Sequence, residues 1–524
     1  MRRCVLSFTA LAGVMIASGA PPRVVNTFPL VFADGSGQIE WLSPSTFRFL
    51  RSWAEPERFK EPLAPKAVAV VADESAAAYS FRSRNLSVEV EKSGGRIAIK
   101  AGSQDVLVDG RLRRENGRGI LEQRARASER FYGLGARDAA SFDLRGSAVE
   151  ARDAFLLSSA GFAEYYPHRG VYRFDLAFSR PETVQVTAPD DRIEFFFYYG
   201  PVPKDIFEEH LAVTGPPERF GAADFEVREA PGAVAAESWE MLGASIRTLL
   251  HASLSAKLIP EFDLSGYANV DADLLASAAE LACVMPVLRA PGGGARFAEL
   301  LRWRTRLEPY LLSYTKEAHD RGVPVLRPLE IDWVEDPAAR NRSGEFKVGD
   351  ELLVAPALGP GGALTVYLPR GLWTDLDSGE IYKGRQEIRV RLRPGQIAMF
   401  AKNGAIVPLW PESGDVLELH YFPSLPAEFF LFEEQDEDIS QFHAAPADDL
   451  MRFEIESRAD RVYDWVIHDA GLCRKVDGGG IEYTSVAEPG LLAPGRWYAD
   501  PSRKLLRIRV HSVAGGDEIV HVRF

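Results

Sequence analysis

Three cysteines among 524 residues exclude a disulfide-built fold. Cys4 lies in an N-terminal apolar stretch, which leaves Cys283 in an apolar run and Cys473 in a strand-rich region; two buried thiols are the favoured reading and a single disulfide the alternative. Histidine is sparse as well, and the nine present show no H-E-x-x-H or paired spacing, so neither a metal nor a cofactor is expected. No glycine-rich phosphate cradle, nucleophile elbow or Cys/His pair stands out. Basic residues are the minority, 61 Lys+Arg against 75 Asp+Glu for a net charge of −14, which argues against nucleic acid or an anionic membrane surface as partner. Beyond the N-terminus no run approaches eighteen uninterrupted apolar residues, so no membrane span is expected.

What is present begins with a leader. Arg2 and Arg3 precede an apolar run from Val5 to Ile16, and Ser18 and Ala20 are small residues before Pro21, the pattern of a cleavable secretory signal over residues 1–20. The expected location is secreted or periplasmic, and loss of Arg2 and Arg3 takes the net charge from −14 to −16. With 46% hydrophobic residues, the rest of the chain can bury several cores, and two to four domains are expected.

From Val24 to Tyr199 short runs alternate apolar and polar residues or run apolar between Gly, Pro and Asp turns: LSVEVE at 86–91, RIAIK at 96–100, YRFDLAF at 172–178 and IEFFFYY at 193–199. Period-two alternation of this length predicts a β-sandwich. KDIFEEHLAVTG predicts one helix ending at Gly215. The next 114 residues, Pro216 to Leu329, carry the α/β material: a capped helix from Ser238 to Ala252, a short strand at 257–262, a helix from Asp271 to Leu281, a strand at 284–288, a long helix from Arg296 to Arg321, and VPVLRPL at 323–329 closing the series. An eightfold β/α barrel takes about 250 residues, so this reads as the back end of a barrel without its front. Later runs such as 351–357, 364–368, 387–392 and 397–400 predict an all-β last third, split near Asp415 by a shift in composition.

Four strings inside this pattern carry a resemblance. FYGLGARDAASFDLRG at 131–146, YYGPVPKDIFEEHLAVTG at 198–215, LRWRTRLEPYLLSYTKEAHDRGVPVLRPL at 301–329 and GDELLVAPALGPGGALTVYLPRGLWTDLDSGEIYKG at 349–384 follow one another in the order of glycoside hydrolase family 31, the family of α-glucosidases and α-xylosidases. The resemblance implies a multidomain α+β fold: an N-terminal β-sandwich of the galactose-mutarotase type (21–215), a truncated TIM-type (β/α) barrel (216–338), and proximal (339–414) and distal (415–524) all-β domains.

It also implies a chemistry, retaining hydrolysis by two carboxyl groups. The family's nucleophilic Asp sits in a W-x-D-M-N-E string, and nothing here resembles it; only 22 residues separate Gly215 from Ser238. The family's acid/base Asp precedes an S-W-E-x-L helix start, and aligning on Ser238, Trp239, Glu240 and Leu242 puts Val234 in its place, with Glu229 and Glu237 nearby. FDLSGY at 262–267 resembles the family's G-A-D-I-G-G-F turn, which makes Asp263 a candidate sugar ligand, with a turn-capping Asp as the alternative. Arg289 matches the Arg of the F-R-N-H string and is the second candidate, although Pro291 replaces the histidine and a salt bridge or solvent role is the favoured reading. Asp153 lies in a loop of ordinary length that is longer in the family. Asp375, Asp377 and Glu380 in WTDLDSGE read as a strand turn in preference to a calcium loop, and EEQDED at 433–438 as a solvated hairpin turn.

The expected function is that of a non-catalytic family homologue with a carbohydrate-binding or protein-interaction role; the alternative is an active retaining α-glycosidase. Carbohydrate is the expected ligand. Removal of the early barrel strands would leave two open edges and an uncovered apolar interior, so a homo-oligomer or a second chain covering the open barrel is a further expectation.

Overall fold

The computed structural model describes residues 26–54, 68–136, 141–152, 154–167, 170–217, 225–230, 237–254, 259–292, 297–342, 344–393, 396–434, 437–447 and 449–524. Residues 1–25, and with them the proposed leader, lie outside this set, as do Asp153 and Val234. The chain divides into two compact units, Met1–Ala136 with Asp143–Val213 and Arg137–Phe142 with Thr214–Phe524.

The first unit is two antiparallel sheets. One has seven strands, in the order Thr27–Phe32, Gly35–Trp41, Thr46–Ser52, Arg192–Tyr199, Phe162–Tyr166, Ala154–Ser158 and Phe131–Gly133. The other has nine, among them the alternating runs at Ser87–Glu91, Ile97–Ala101 and Tyr172–Leu176. Two adjacent tyrosines show how the pleat joins the layers. Tyr166 meets Tyr172 and Phe174 of the nine-stranded sheet at ring distances of 5.2 and 5.4 Å, while Tyr165 points the other way, to His210 of the helix Pro203–Thr214 at 4.8 Å. Covered on both faces, Arg192–Tyr199 buries six consecutive residues, Glu194 among them, where a half-exposed strand would alternate buried and exposed positions.

The second unit opens with three parallel strands, Arg228–Glu229, Glu261–Asp263 and Val287–Ala290, the last lying between the other two. The helices Trp239–Ser253 and Ala272–Cys283 connect them, and Arg302–Arg321 follows. Each begins or ends where local chemistry dictates. Ser238 Oγ accepts from Met241 N and Asp271 Oδ1 from Leu274 N, satisfying donors that a helix start leaves unpaired. Leu242, Ile246 and Leu250, four residues apart, line the buried stripe of the first helix. Gly322 at φ 71° closes the third with its N–H on Ala318 O, a left-handed cap that glycine takes without a Cβ penalty.

The run VPVLRPL does not close the parallel series. Leu326–Pro328 pairs antiparallel with Phe346–Val348, and so starts a six-stranded sheet of the C-terminal region. That sheet and the hairpin of Ala363–Leu368 with Gln386–Arg391 close on a core of Leu329, Leu353, Val366, Leu368, Trp373 and Phe400. Two further six-stranded sheets complete the unit, their inner faces joined by Phe453 on Trp465 at 4.8 Å and Phe442 on Tyr463 at 5.5 Å. Cys283 is buried and Cys473 half-buried, both as free thiols.

Candidate functional site at the parallel strand ends

Alternation along Glu261–Asp263 decides what this small sheet shows to solvent. Phe262 is buried, while Glu261 and Asp263 are exposed on the opposite face. Parallel register sets Asp263 beside Arg289, and Leu288 and Ala290 beside it are buried with Phe262. Arg289 Nε donates to Glu261 Oε1, and this hydrogen bond with its charge raises the guanidinium above its ordinary value. The face therefore carries acids and an arginine, where an uncovered apolar interior was expected. Glu261 was not singled out in the sequence; its place two residues before Asp263 in a strand is the signal for it.

Asp263 Oδ1 accepts from Ser265 N at 2.8 Å and Ser265 Oγ at 2.6 Å. This is the turn-capping arrangement, and one oxygen is engaged in it. Arg289 and Asp263 are thus neighbours on one face, with Arg289 held by Glu261. Glu229, paired with Ala290, falls on the other face, and its Oε1 accepts from Gly292 N at 3.0 Å. Glu237 lies closer to the turn: its N–H donates to Gly266 O at 2.9 Å, and a Cβ on Gly266 would stand 2.3 Å from Glu237 Cγ, so the contact requires glycine at 266. Pro291 follows directly on Ala290, with no imidazole at that position. The segments 231–236 (PGAVAA) and 293–296 (GGAR) lie outside the described residues and contain neither Asp nor Glu.

Elsewhere the acidic motifs are occupied. Asp375 Oδ1 caps its own turn, accepting from Asp377 N at 2.8 Å and Ser378 N at 2.9 Å. In EEQDED, Glu433 is buried and takes Arg461 and Ser440. It is thus a core carboxylate instead of part of a solvated turn; residues 435 and 436 lie outside the described set. Among the described residues no group of three or more His, Cys, Asp or Glu could hold a metal ion, and no helix is long and apolar enough to cross a membrane.

Residues 322–407 match the model of the glycosyl hydrolase family 31 C-terminal domain. "Alpha-glucosidase 2" of Bacillus thermoamyloliquefaciens is 29% identical over 195 residues, 34% of this chain and 24% of that protein. A "Probable glucan 1,3-alpha-glucosidase" of Oryza sativa subsp. japonica is 31% identical over 188 residues, 32% of this chain and 20% of that one. The match thus spans about a quarter or less of the length of these relatives. A Flavobacterium johnsoniae GH31 dextranase complexed with glucose has the same fold at TM-score 0.80 and 15% identity, over 94% of this chain and 97% of that one. A cycloalternan-forming enzyme from Listeria monocytogenes gives TM-score 0.82 at 13% identity, over 96% and 76%. The matched C-terminal domain, the α-glucosidase relatives and the shared fold identify the chain as a member of glycoside hydrolase family 31.

Proposed function

We propose that this chain is a non-catalytic member of its family that binds carbohydrate. The observation that carries the reading is the arrangement of acids at the strand ends. Retention needs two carboxyl groups about 5 to 5.5 Å apart on opposite sides of the scissile bond. Glu261 and Asp263 leave the same strand on the same face, so both reach a substrate from one side, and Glu261 is engaged by Arg289. Glu229 lies on the other face of the sheet.

The strand order supports the accompanying reading of a barrel cut in its middle. In a closed barrel the first strand lies beside the last. Pairing of Arg228–Glu229 with Val287–Ala290 is what remains when the strands between the first and the last two are removed. On this reading residues 216–338 are the reduced barrel, 21–215 the sandwich before it, and 339–414 and 415–524 the β domains after it.

One observation favours the alternative, an active retaining α-glycosidase: Glu237 rests against Gly266, in the turn that Asp263 leads. The test is to incubate the pure protein with aryl α-glucosides, α-xylosides and α-galactosides. The expected outcome is no turnover above the uncatalysed rate. Turnover that disappears in Asp263→Asn or Glu237→Gln would establish the alternative and end the non-catalytic reading.

A further inference from the structure

A recess of the second unit lies away from the parallel strands. It opens between the start of the helix Arg302–Arg321 and the sheet that includes Leu417–Phe422, Arg461–Ile467 and Leu505–Ser512, with a volume of about 690 Å³. That is within the range of about 300–1,000 Å³ for small-molecule sites. We propose that this cleft binds a neutral polyhydroxylated ligand of the sugar class, held at its mouth by His468 and Arg503. The ligand class rests on the carbohydrate reading above as well as on the cleft's chemistry; the location rests on the cleft alone.

The floor excludes a strongly charged ligand because its own charges are matched. Arg507 and Arg306 both donate to Glu418, and Arg509 makes a two-point contact with the buried Asp464 through bonds of 2.7 and 2.8 Å. The rim carries Asp415 and Asp500 as well as Arg503, so neither sign dominates. What is left unspent is a mixture of donors and acceptors, which suits hydroxyl groups that both give and take a hydrogen bond.

Proton positions along the floor follow from Glu418. Burial pushes its carboxyl up, but the hydrogen bond from His420 and the charges of Arg507 and Arg306 outweigh that and hold it at about 2. An ionised carboxylate only accepts, so His420 donates through Nε2 across 3.0 Å. Burial lowers both His420 and His468 and keeps them neutral, so His420 Nδ1 accepts from His468 Nε2 at 3.0 Å. His468 Nδ1 is then a lone-pair acceptor with no partner among the described residues.

The exposed Arg503 guanidinium makes no side-chain hydrogen bond among the described residues, although the charge of Asp500 lies near it, and supplies the complementary donors. Tyr498, half-buried on the same wall with Val466 and Leu505, offers a surface for the C–H face of a ring. Two buried donors of this wall, Trp303 Nε1 and Arg507 Nε, are also unpartnered among the described residues.

Isothermal titration calorimetry of the full chain with glucose, maltose and isomaltotriose tests the assignment, with circular dichroism to verify folding of each variant. The expected result is binding of at least one sugar, weakened about tenfold or more by Arg503→Ala and by His468→Phe and unchanged by Asp263→Asn. Binding lost in Asp263→Asn but kept in both cleft variants overturns the cleft and leaves the carbohydrate reading standing at the strand ends. No binding of any of the three sugars by the unaltered protein at millimolar concentration overturns both.

Discussion

Glu280 is an acid whose ionisation opposes folding, and its removal should stabilise the second unit. It sits in the helix Ala272–Cys283 at 5% exposure, and its Oε2 accepts from Ala357 N at 3.1 Å. Burial pushes its carboxyl up to about 8, while the Ala357 hydrogen bond acts in the opposite sense. The unfolded chain holds this group near its ordinary value of about 4.3. Between these values the folded state keeps the proton and the unfolded state has lost it, so stability is full below the unfolded value and is lost as pH rises toward 8. One pH unit corresponds to about 1.4 kcal/mol, which makes the loss about 4 kcal/mol at pH 7. Glu280→Gln keeps an oxygen for Ala357 N–H and does not titrate. Urea unfolding followed by tryptophan fluorescence should show the variant more stable by about 4 kcal/mol at pH 7, by more at pH 8, and by about 1 kcal/mol at pH 5. Equal stability of the two proteins at all three pH values would refute the reasoning.

Two further substitutions probe the C-terminal half. Gly349 has φ 60°, and a Cβ there would lie 2.3 Å from Tyr314 and 2.4 Å from the Tyr310 hydroxyl, so Gly349→Ala should destabilise by about 2–4 kcal/mol; an unchanged Tm would contradict this. Arg509→Met removes both hydrogen bonds to Asp464, whose side chain is 1% exposed, and should lower stability by about 3 kcal/mol because a buried carboxylate is left short of charge. Adding Asp464→Asn should restore part of that loss in chemical denaturation, and a double variant no more stable than Arg509→Met would count against the pairing as the cause.

Much of this architecture is written locally. Ser238 and Asp271 precede apolar residues at helical spacing, and each caps its helix as such residues do. The alternating runs at 87–91 and 172–176 form strands because every second side chain has a core to enter. Sheet membership is a different matter, since it depends on partners far along the chain. VPVLRPL has the apolar run of a buried strand, and nothing within it says that its partner will be Phe346–Val348 in an antiparallel sheet. The strand order in which Val287–Ala290 lies at the centre is equally nonlocal. The cleft illustrates the same limit for function: Glu418, Asp464, His468 and Arg503 come from separate strands and turns, and only their assembly makes the histidine an acceptor.

The parallel strand ends show how a local signal can be overruled by an expectation about the whole. Treating residues 216–338 as a barrel remnant assigns an apolar interior to the face left uncovered, and an apolar face of that kind calls for a covering partner. Glu-Phe-Asp at 261–263 says otherwise: a period of two puts both acids on one face and the phenylalanine on the other. Arg289 then falls beside them in register and closes an ion pair with Glu261. A charged face of this kind can stay hydrated, so what these strands show to solvent differs from the apolar interior on which part of the expectation of a covering partner rested. The same pairing bears on chemistry, because an acid committed to a neighbouring guanidinium on its own sheet is poorly placed to serve as a nucleophile or proton donor.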